Sequence, residues 1–285
     1  MLSHVYFVRP RRAALFLLLA AMCLAGGCFR PPQPYLTPDR LEKGLVLVLT
    51  GIEGRSPFNE DICLGLKIGG VEAGIELVDW TTHVPFNYLY NLRAEKRNRR
   101  KAEEIARRIV RYQMTYPNRP VVLVGQSGGG GMAVWVAESL PRDAQVDGLV
   151  LLAACLSPSY QLDGALRHCR RGIVNFYSPR DFVFLGAGTL LAGTMDGAHA
   201  SSAGHAGFNV LAQGTGQTLY SKLFQVAWNK NMGWTGYSGT HLSSGATNFV
   251  AAYLAPFVLM RQWDESAVQR VLTGLAVAPP GAPAR

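Results

Sequence analysis

Residues 121–140 read Val-Val-Leu-Val-Gly-Gln-Ser-Gly-Gly-Gly-Gly-Met-Ala-Val-Trp-Val-Ala-Glu-Ser-Leu. The β-branched run from Val121 to Val124 predicts a short strand covered on both faces. From Met132 to Leu140 the pattern predicts a helix, which Pro141 closes. Four consecutive glycines open that helix. Each is disfavoured by about 1 kcal/mol relative to alanine inside a helix. Helix propensity does not select them; a close approach of backbone to backbone or to ligand does.

Within this stretch Gly125-Gln126-Ser127-Gly128-Gly129 fits G-x-S-x-G. Strand, tight turn with serine at its apex, then helix is the setting in which the motif marks a nucleophile elbow. In a chain with 31 glycines the spacing alone can arise by chance; the context gives it weight. A phosphate-binding loop is the rival reading. The stretch has neither the Gly-Lys-Ser/Thr of a P-loop nor a glycine at position 127, where G-x-G-x-x-G requires one.

Outward from the elbow, strands alternate with helices. Upstream, Gly44 to Leu49 predicts a buried strand, followed by the glycine-bearing loop Thr50-Gly51-Ile52-Glu53-Gly54-Arg55. A short helix is expected over 61–68, a strand over 74–78 and a long helix over 92–114. Downstream, strands are expected over 147–153, 172–177 and 223–228, with a short helix over 162–170 and an apolar helix over 243–260. Residues 186–216 are rich in Gly, Ala, Ser and Thr without clear periodicity, as a functional cover or a mobile lid would be. The alternation predicts an α/β fold with a mostly parallel sheet, helices on both faces and no large cap domain. Ligands in such sheets bind beyond the carboxyl ends of the strands. Ser127, Asp181 and His241 each follow a predicted strand at that end.

A serine hydroxyl needs a base within hydrogen-bond reach, and the base needs an acid to orient it. Ser127, Asp181 and His241 stand in the order serine, acid, histidine. On these residues the segment 44–262 resembles the α/β-hydrolase superfamily. The resemblance rests on Gly125-Gln126-Ser127-Gly128-Gly129, on Ser178-Pro179-Arg180-Asp181 and on Gly239-Thr240-His241. It implies that Ser127 is the nucleophile, His241 the base and Asp181 the acid, without metal or cofactor. It also implies an oxyanion hole made of the backbone N–H groups of Gly128 and Ile52, although Thr50 stands where members often carry histidine. Asp163 and Asp196 are alternative acids. His199 and His205 precede the last strand, His168 reads as surface, and His83 lies on the same edge as Ser127 and could meet substrate. Asp196, His199 and His205 match no common metal spacing. Glu53 and Arg55 could face the site or pair with each other.

The N-terminus is expected to be a targeting segment rather than part of the fold. Arg9, Arg11 and Arg12 precede an apolar run, Ala13 to Ala25, too short for a comfortable membrane span. It ends Leu24-Ala25-Gly26-Gly27-Cys28, which resembles the lipobox of bacterial lipoproteins, with Ala25 where leucine is commonest. That implies a signal peptide over 1–27 and lipidation of Cys28; ordinary secretion and a retained anchor are the other readings. Residues 28–43, with prolines at 31, 32, 34 and 38, are expected to form a tether. Residues 263–285 are expected to be a partly disordered tail.

The net charge of +9 falls to +6 without the three N-terminal arginines. Much of the rest lies in 93–111, where Ala102, Ile105, Ala106, Ile109 and Tyr112 recur at helical spacing. That is an amphipathic helix with a basic solvated face; contact with anionic lipid is the functional reading. Nucleic acid is not an expected partner. Beyond Cys23 and Cys28 there remain Cys63, Cys155 and Cys169, which allow one disulfide at most, between Cys155 and Cys169.

Two functions follow as expectations. One is a serine hydrolase lipid-anchored to a membrane of the bacterial cell envelope and acting on an acyl ester, with thioester and amide left open. The other is a non-catalytic envelope module that keeps the fold for binding or assembly.

Overall fold

The computed structural model describes residues 33–182, 186, 189–210 and 217–274. The chain divides into Met1–Pro34 and Tyr35–Arg285, and the second unit carries the fold. The expected signal peptide 1–27, Cys28 and the extreme C-terminus lie outside the described residues, as do 187–188 and 211–216 of the glycine-rich segment.

Six strands form one sheet: β1 Leu45–Leu49, β2 Gly74–Val78, β3 Val121–Gln126, β4 Gly148–Leu152, β5 Ile173–Tyr177 and β6 Leu223–Ala227. They are ordered β2-β1-β3-β4-β5-β6, and every pairing is parallel. Side chains alternate across a strand, and here both faces are covered. Leu45, Leu47, Leu49, Leu123, Leu149 and Leu151 enter one core. Val46, Val48, Val122, Val124, Val150 and Leu152 enter the other. This is why the strands read as unbroken apolar runs rather than alternating ones.

The helices over the first core are α3 Glu95–Thr115, α4 Gly128–Glu138 and the short α5 Asp163–Arg167. Over the second lie α1 Pro57–Ile68, α6 Ala255–Leu259 and α7 Glu265–Leu272. As expected, α3 buries Ala102, Ile105, Ala106, Ile109 and Tyr112. Part of its basic face is paired within the fold: Arg99 with Glu95 and Glu138, Lys101 with Glu104, and Arg108 with Glu76.

Several boundaries differ from the sequence reading. The helix expected over 92–114 is two, α2 Tyr88–Arg93 and α3. The Asn91 carbonyl, which a continuous helix would offer to residue 95, accepts instead from Asn98 Nδ2 at 2.7 Å. The helix expected over 243–260 is also broken: a 3₁₀ turn at His241–Gly245, a turn at Thr247–Phe249, a π turn at Val250–Leu254, then α6. Pro256 lacks the N–H that an α-helix needs and crowds the carbonyl four residues back, which widens the preceding turn.

The tether ends before residue 43. Ile75 N donates to Tyr35 O, and the Arg40 guanidinium donates to the carbonyls of Tyr35, Ala73 and Val71. Those bonds bind Tyr35–Leu41 to the β2 edge. The tail begins later than residue 263, because Trp263, Val268 and Val271 are buried in the second core.

No disulfide links Cys155 to Cys169; Cys63, Cys155 and Cys169 are buried free thiols. Cys169 is bridged to Val146, before β4 starts, whereas Cys155 follows its end. The five residues of β4 between them span about 16 Å at roughly 3.3 Å each. A disulfide requires Cα atoms within about 7 Å. Burial pushes the Cys63 and Cys155 thiols up to about 12 and raises Cys169 as well. Iodoacetamide at pH 8, mapped peptide by peptide, should therefore leave all three unmodified in the native protein and alkylate all three in denaturant. Rapid native alkylation of any one would contradict this burial.

Candidate active site

β3 ends at Gln126 and α4 begins at Gly128, so Ser127 alone makes the turn, at φ 56° and ψ −121°. A positive φ is disfavoured for a residue with a side chain and persists only where its surroundings enforce it. Here Ser127 N donates to Leu152 O at 2.9 Å, and Ser127 O accepts from Gly130 N and Cys155 N, both at 3.0 Å. Glycine is required on either side. A Cβ on Gly125 would lie 2.2 Å from Gly129 O, and one on Gly129 would lie 2.1 Å from Leu49 O.

His241 opens the 3₁₀ turn beyond β6, and Asp181 follows β5. His241 Nε2 is 3.0 Å from Ser127 Oγ, and His241 Nδ1 is 2.7 Å from Asp181 Oδ2. All three side chains are buried. Asp181 N donates to Ser178 O, and Ser178 N to Gly204 O, which fixes the loop bearing Asp181. The loop bearing His241 is fixed as well: Ser244 Oγ donates to His241 O at 2.7 Å and Trp228 Nε1 to Tyr237 O at 2.9 Å. Arg180 stacks over the Trp228 ring at 4.7 Å and joins the two loops. Burial and the Asp181 charge raise the Tyr237 phenol, which is hydrogen-bonded to Ser178.

Gly128 heads α4, where the first N–H groups of a helix have no acceptor within it. It lies against the loop after β1: a Cβ on Gly128 would be 2.7 Å from Ile52 Cγ2, 3.2 Å from Trp80 Cζ2 and 3.4 Å from Met195 Sδ. The two candidate donors, Ile52 and Gly128, are thus neighbours at the foot of the serine. The described part of the glycine-rich segment is pinned to the loop that follows β4. Met195 N, Ala203 N and Gly204 N donate to the carbonyls of Cys155, Leu156 and Ala154, just past β4.

The remaining candidates lie apart from this line. Asp163 accepts from the Tyr220 hydroxyl at 2.8 Å. Asp196 accepts from Ser157 N, Ser157 Oγ and Thr194 Oγ1. His83 pairs with Asp79 at 3.2 Å, while His199 and His168 each meet a carbonyl oxygen, of Leu190 and Ala144. The His205 ring stands edge-on to Phe182. Arg55 binds Glu60 at 2.9 Å, while Glu53 accepts from Ser56 Oγ.

Sequence reasoning missed Trp80, Asn91 and Met195. Asn98 carried a signal: it extends the buried stripe Ala102, Ile105, Ile109, Tyr112 by one turn, a polar residue on an apolar face.

No protein-family model matches the chain, and no curated protein matches it. Among solved structures it resembles lipase B of Aspergillus fumigatus, with 12% identity over 87% of this chain and 60% of that one, at a TM-score of 0.51. An uncharacterized Bacillus cereus protein matches with 16% identity over 60% of this chain and 53% of that one, at 0.36. A thioesterase of the prodiginine biosynthetic pathway in Streptomyces coelicolor matches with 14% identity over 79% of this chain and 88% of that one, at 0.31. The chain thus spans little more than half the length of the first two. The likeness to the lipase shows the fold: a parallel sheet wrapped by helices, of the α/β-hydrolase type, without a large cap among the described residues.

The close approach at Gly129 sets a measurable cost. Gly129→Ala should lose about 3 kcal/mol of stability or more, as overpacking against backbone does. Gly233→Ala, where a Cβ meets nothing within 4 Å, should change stability by about 0.5 kcal/mol at most. Equal thermal stabilities for the two variants would show that the helix is not held against β1 as described.

Proposed function

We propose that the protein is a serine hydrolase anchored in the bacterial cell envelope, cleaving a carboxylic ester through an acyl-enzyme on Ser127. One observation carries the reading: the continuous line from Ser127 Oγ through His241 to Asp181, at 3.0 and 2.7 Å. An ionised carboxylate only accepts hydrogen bonds, so Asp181 selects the tautomer with the proton on Nδ1. That leaves Nε2 free to accept the proton of the serine hydroxyl.

The steps follow from this placement. Ser127 Oγ attacks the ester carbonyl as its proton passes to His241 Nε2. The carbonyl electron pair moves onto oxygen, which accepts from the N–H groups of Gly128 and Ile52. Donors fixed in place before the charge develops are worth 10²–10³ each in rate, by order of magnitude. The start of α4 adds its partial positive charge. The oxyanion collapses, the ester C–O bond breaks, and the leaving alcohol takes the proton from His241. Water gives a proton to His241 as it attacks the acyl carbon; the bond from that carbon to Ser127 Oγ then breaks, Oγ takes the proton back from His241, and the acid leaves.

Features near the site favour a substrate with an acyl chain. Ile52, Trp80 and Met195 give Gly128 an apolar setting. Beyond β2, Val84, Phe86, Tyr88, Leu89 and Tyr90 are all exposed, and Phe86 holds a positive φ of 61° while 84% exposed. Leu190 and Leu191 are exposed on the turn that Arg93 Nε binds through Ala192 O. Exposed apolar side chains of this kind suit work at a lipid surface. They agree with the anchor read at Cys28.

A fluorophosphonate probe should label the wild-type protein and leave Ser127→Ala unlabelled; equal labelling of the two defeats the reading. Asp181→Asn should reduce turnover of a p-nitrophenyl ester by about 10⁴, as loss of the correct tautomer does. Asp163→Asn should leave it within about twofold. Mass spectrometry of the mature N-terminus should find acylated Cys28; an unmodified end elsewhere excludes the anchor but not the hydrolase.

A further inference from the structure

The Ile52 N–H lies in a loop, and loops are the mobile part of such folds. The structure holds this loop at three successive carbonyls. Trp80 Nε1 donates to Thr50 O at 2.7 Å. Gly54 N donates to Gly51 O at 3.2 Å. Asn91 Nδ2 donates to Ile52 O at 2.9 Å. The peptide unit between Gly51 and Ile52 is therefore flanked by two held units, and its own carbonyl is held too. In a trans peptide the C=O and N–H point in opposite directions. Turning Gly51 O toward Gly54 directs the Ile52 N–H the other way.

Asn91 is built to do this. It is 2% exposed. Its Oδ1 accepts from Thr82 N and Thr82 Oγ1, both at 3.1 Å. Those bonds fix which end of the amide is NH₂ and aim it at Ile52 O. Behind it, fully buried Asn98 donates to Asn91 O at 2.7 Å, at the break between α2 and α3. That break turns the chain so that Asn91 faces the β1 loop, and Asn98 holds it there.

We propose that Asn91, with Trp80, is a positioning residue for the oxyanion donor at Ile52: the pair sets the direction of that N–H without touching substrate. The inference rests on the reading of Ser127 as nucleophile. A held donor acts only once charge develops, so its loss falls on turnover and not on substrate binding.

The test uses the full chain with p-nitrophenyl butyrate. Asn91→Asp keeps the volume and the acceptor for Thr82 but loses the donor to Ile52 O. Trp80→Phe keeps an aromatic ring but loses the indole N–H. Each should lower kcat by about 10- to 100-fold, the scale of a misplaced catalytic group, with KM within about threefold. A trifluoromethyl ketone takes up Ser127 Oγ at its carbonyl, gives the serine proton to His241 and leaves an oxyanion. It should lose affinity by the same factor as kcat/KM. Tyr112→Phe removes the bond to Leu41 O at 2.7 Å, away from the site; it should lower the melting temperature while kcat stays within twofold.

If Asn91→Asp does not fold, Trp80→Phe decides. If the folded variants retain kcat within twofold, or lose activity through KM alone, the inference is overturned. The same holds if Tyr112→Phe loses kcat as they do. The nucleophile reading survives any of these results as long as Ser127→Ala is inactive. If Ser127→Ala keeps its activity, that reading falls and takes this inference with it.

Discussion

The site depends on a contact that a single methyl group would prevent. α4 begins so close to β1 that a Cβ on Gly129 would fall 2.1 Å from Leu49 O. The same proximity places the first N–H groups of α4 beside the loop leaving β1. It leaves one residue, Ser127, to connect β3 with α4 at a positive φ. The strain is balanced by hydrogen bonds from Ser127 to the end of β4. The unfavourable backbone of one residue is thus enforced by the packing of three strands and a helix. Relaxing it would displace the serine from His241 and Gly128 from Ile52 together.

Electrostatics sharpen the same point. Asp181 is 3% exposed, and its Oδ1 has no hydrogen-bond partner among the described residues. A buried carboxylate needs compensation. His241 Nδ1 supplies it at Oδ2. Both loops are held rigid, by Ser178 on one side and by the Arg180–Trp228 stack on the other. The imidazole therefore has little freedom to turn away from Ser127. Order in the two loops substitutes for the hydration that Asp181 gives up.

Much of the architecture was legible because a parallel sheet covered on both faces writes itself as apolar runs. β1, β3, β4 and β5 lie within a residue or two of where those runs predict them. Ser127, Asp181 and His241 could be singled out together because each lies in the connection that follows a strand at the same edge. The breaks were harder. Nothing local distinguishes α2 from α3, since the break depends on Asn98 reaching Asn91 O. The π turn depends on how Pro256 is accommodated four residues upstream. The tether and the tail were set too long because their attachment is tertiary: Arg40 reaching three carbonyls, and Trp263 entering the core. Asn91 illustrates the general limit. Its role follows from contacts with Thr82 and Ile52 in loops after two different strands, and no spacing in the sequence encodes them.

Concavity alone would have pointed elsewhere. A cavity of about 950 Å³ opens at the opposite end of the sheet, lined by Lys43, Glu72, Asp147, Arg170 and Arg171 among others. Several of its charges are paired within the fold. Lys43 pairs with Glu72, and Asp147 takes Arg170, Arg171 and the Val121 N–H. Those bonds fasten the starts of β3 and β4. At the carboxyl end the arrangement is the reverse. Ser127 Oγ meets an imidazole nitrogen, and Gly128 at the start of α4 lies against Ile52. A parallel sheet directs strand ends and helix starts to that edge, so groups poised for chemistry collect there. Closing ion pairs suffice at the other. What separates the two ends is that one closes on ion pairs, while the other aligns a hydroxyl, an imidazole and a carboxylate in one line.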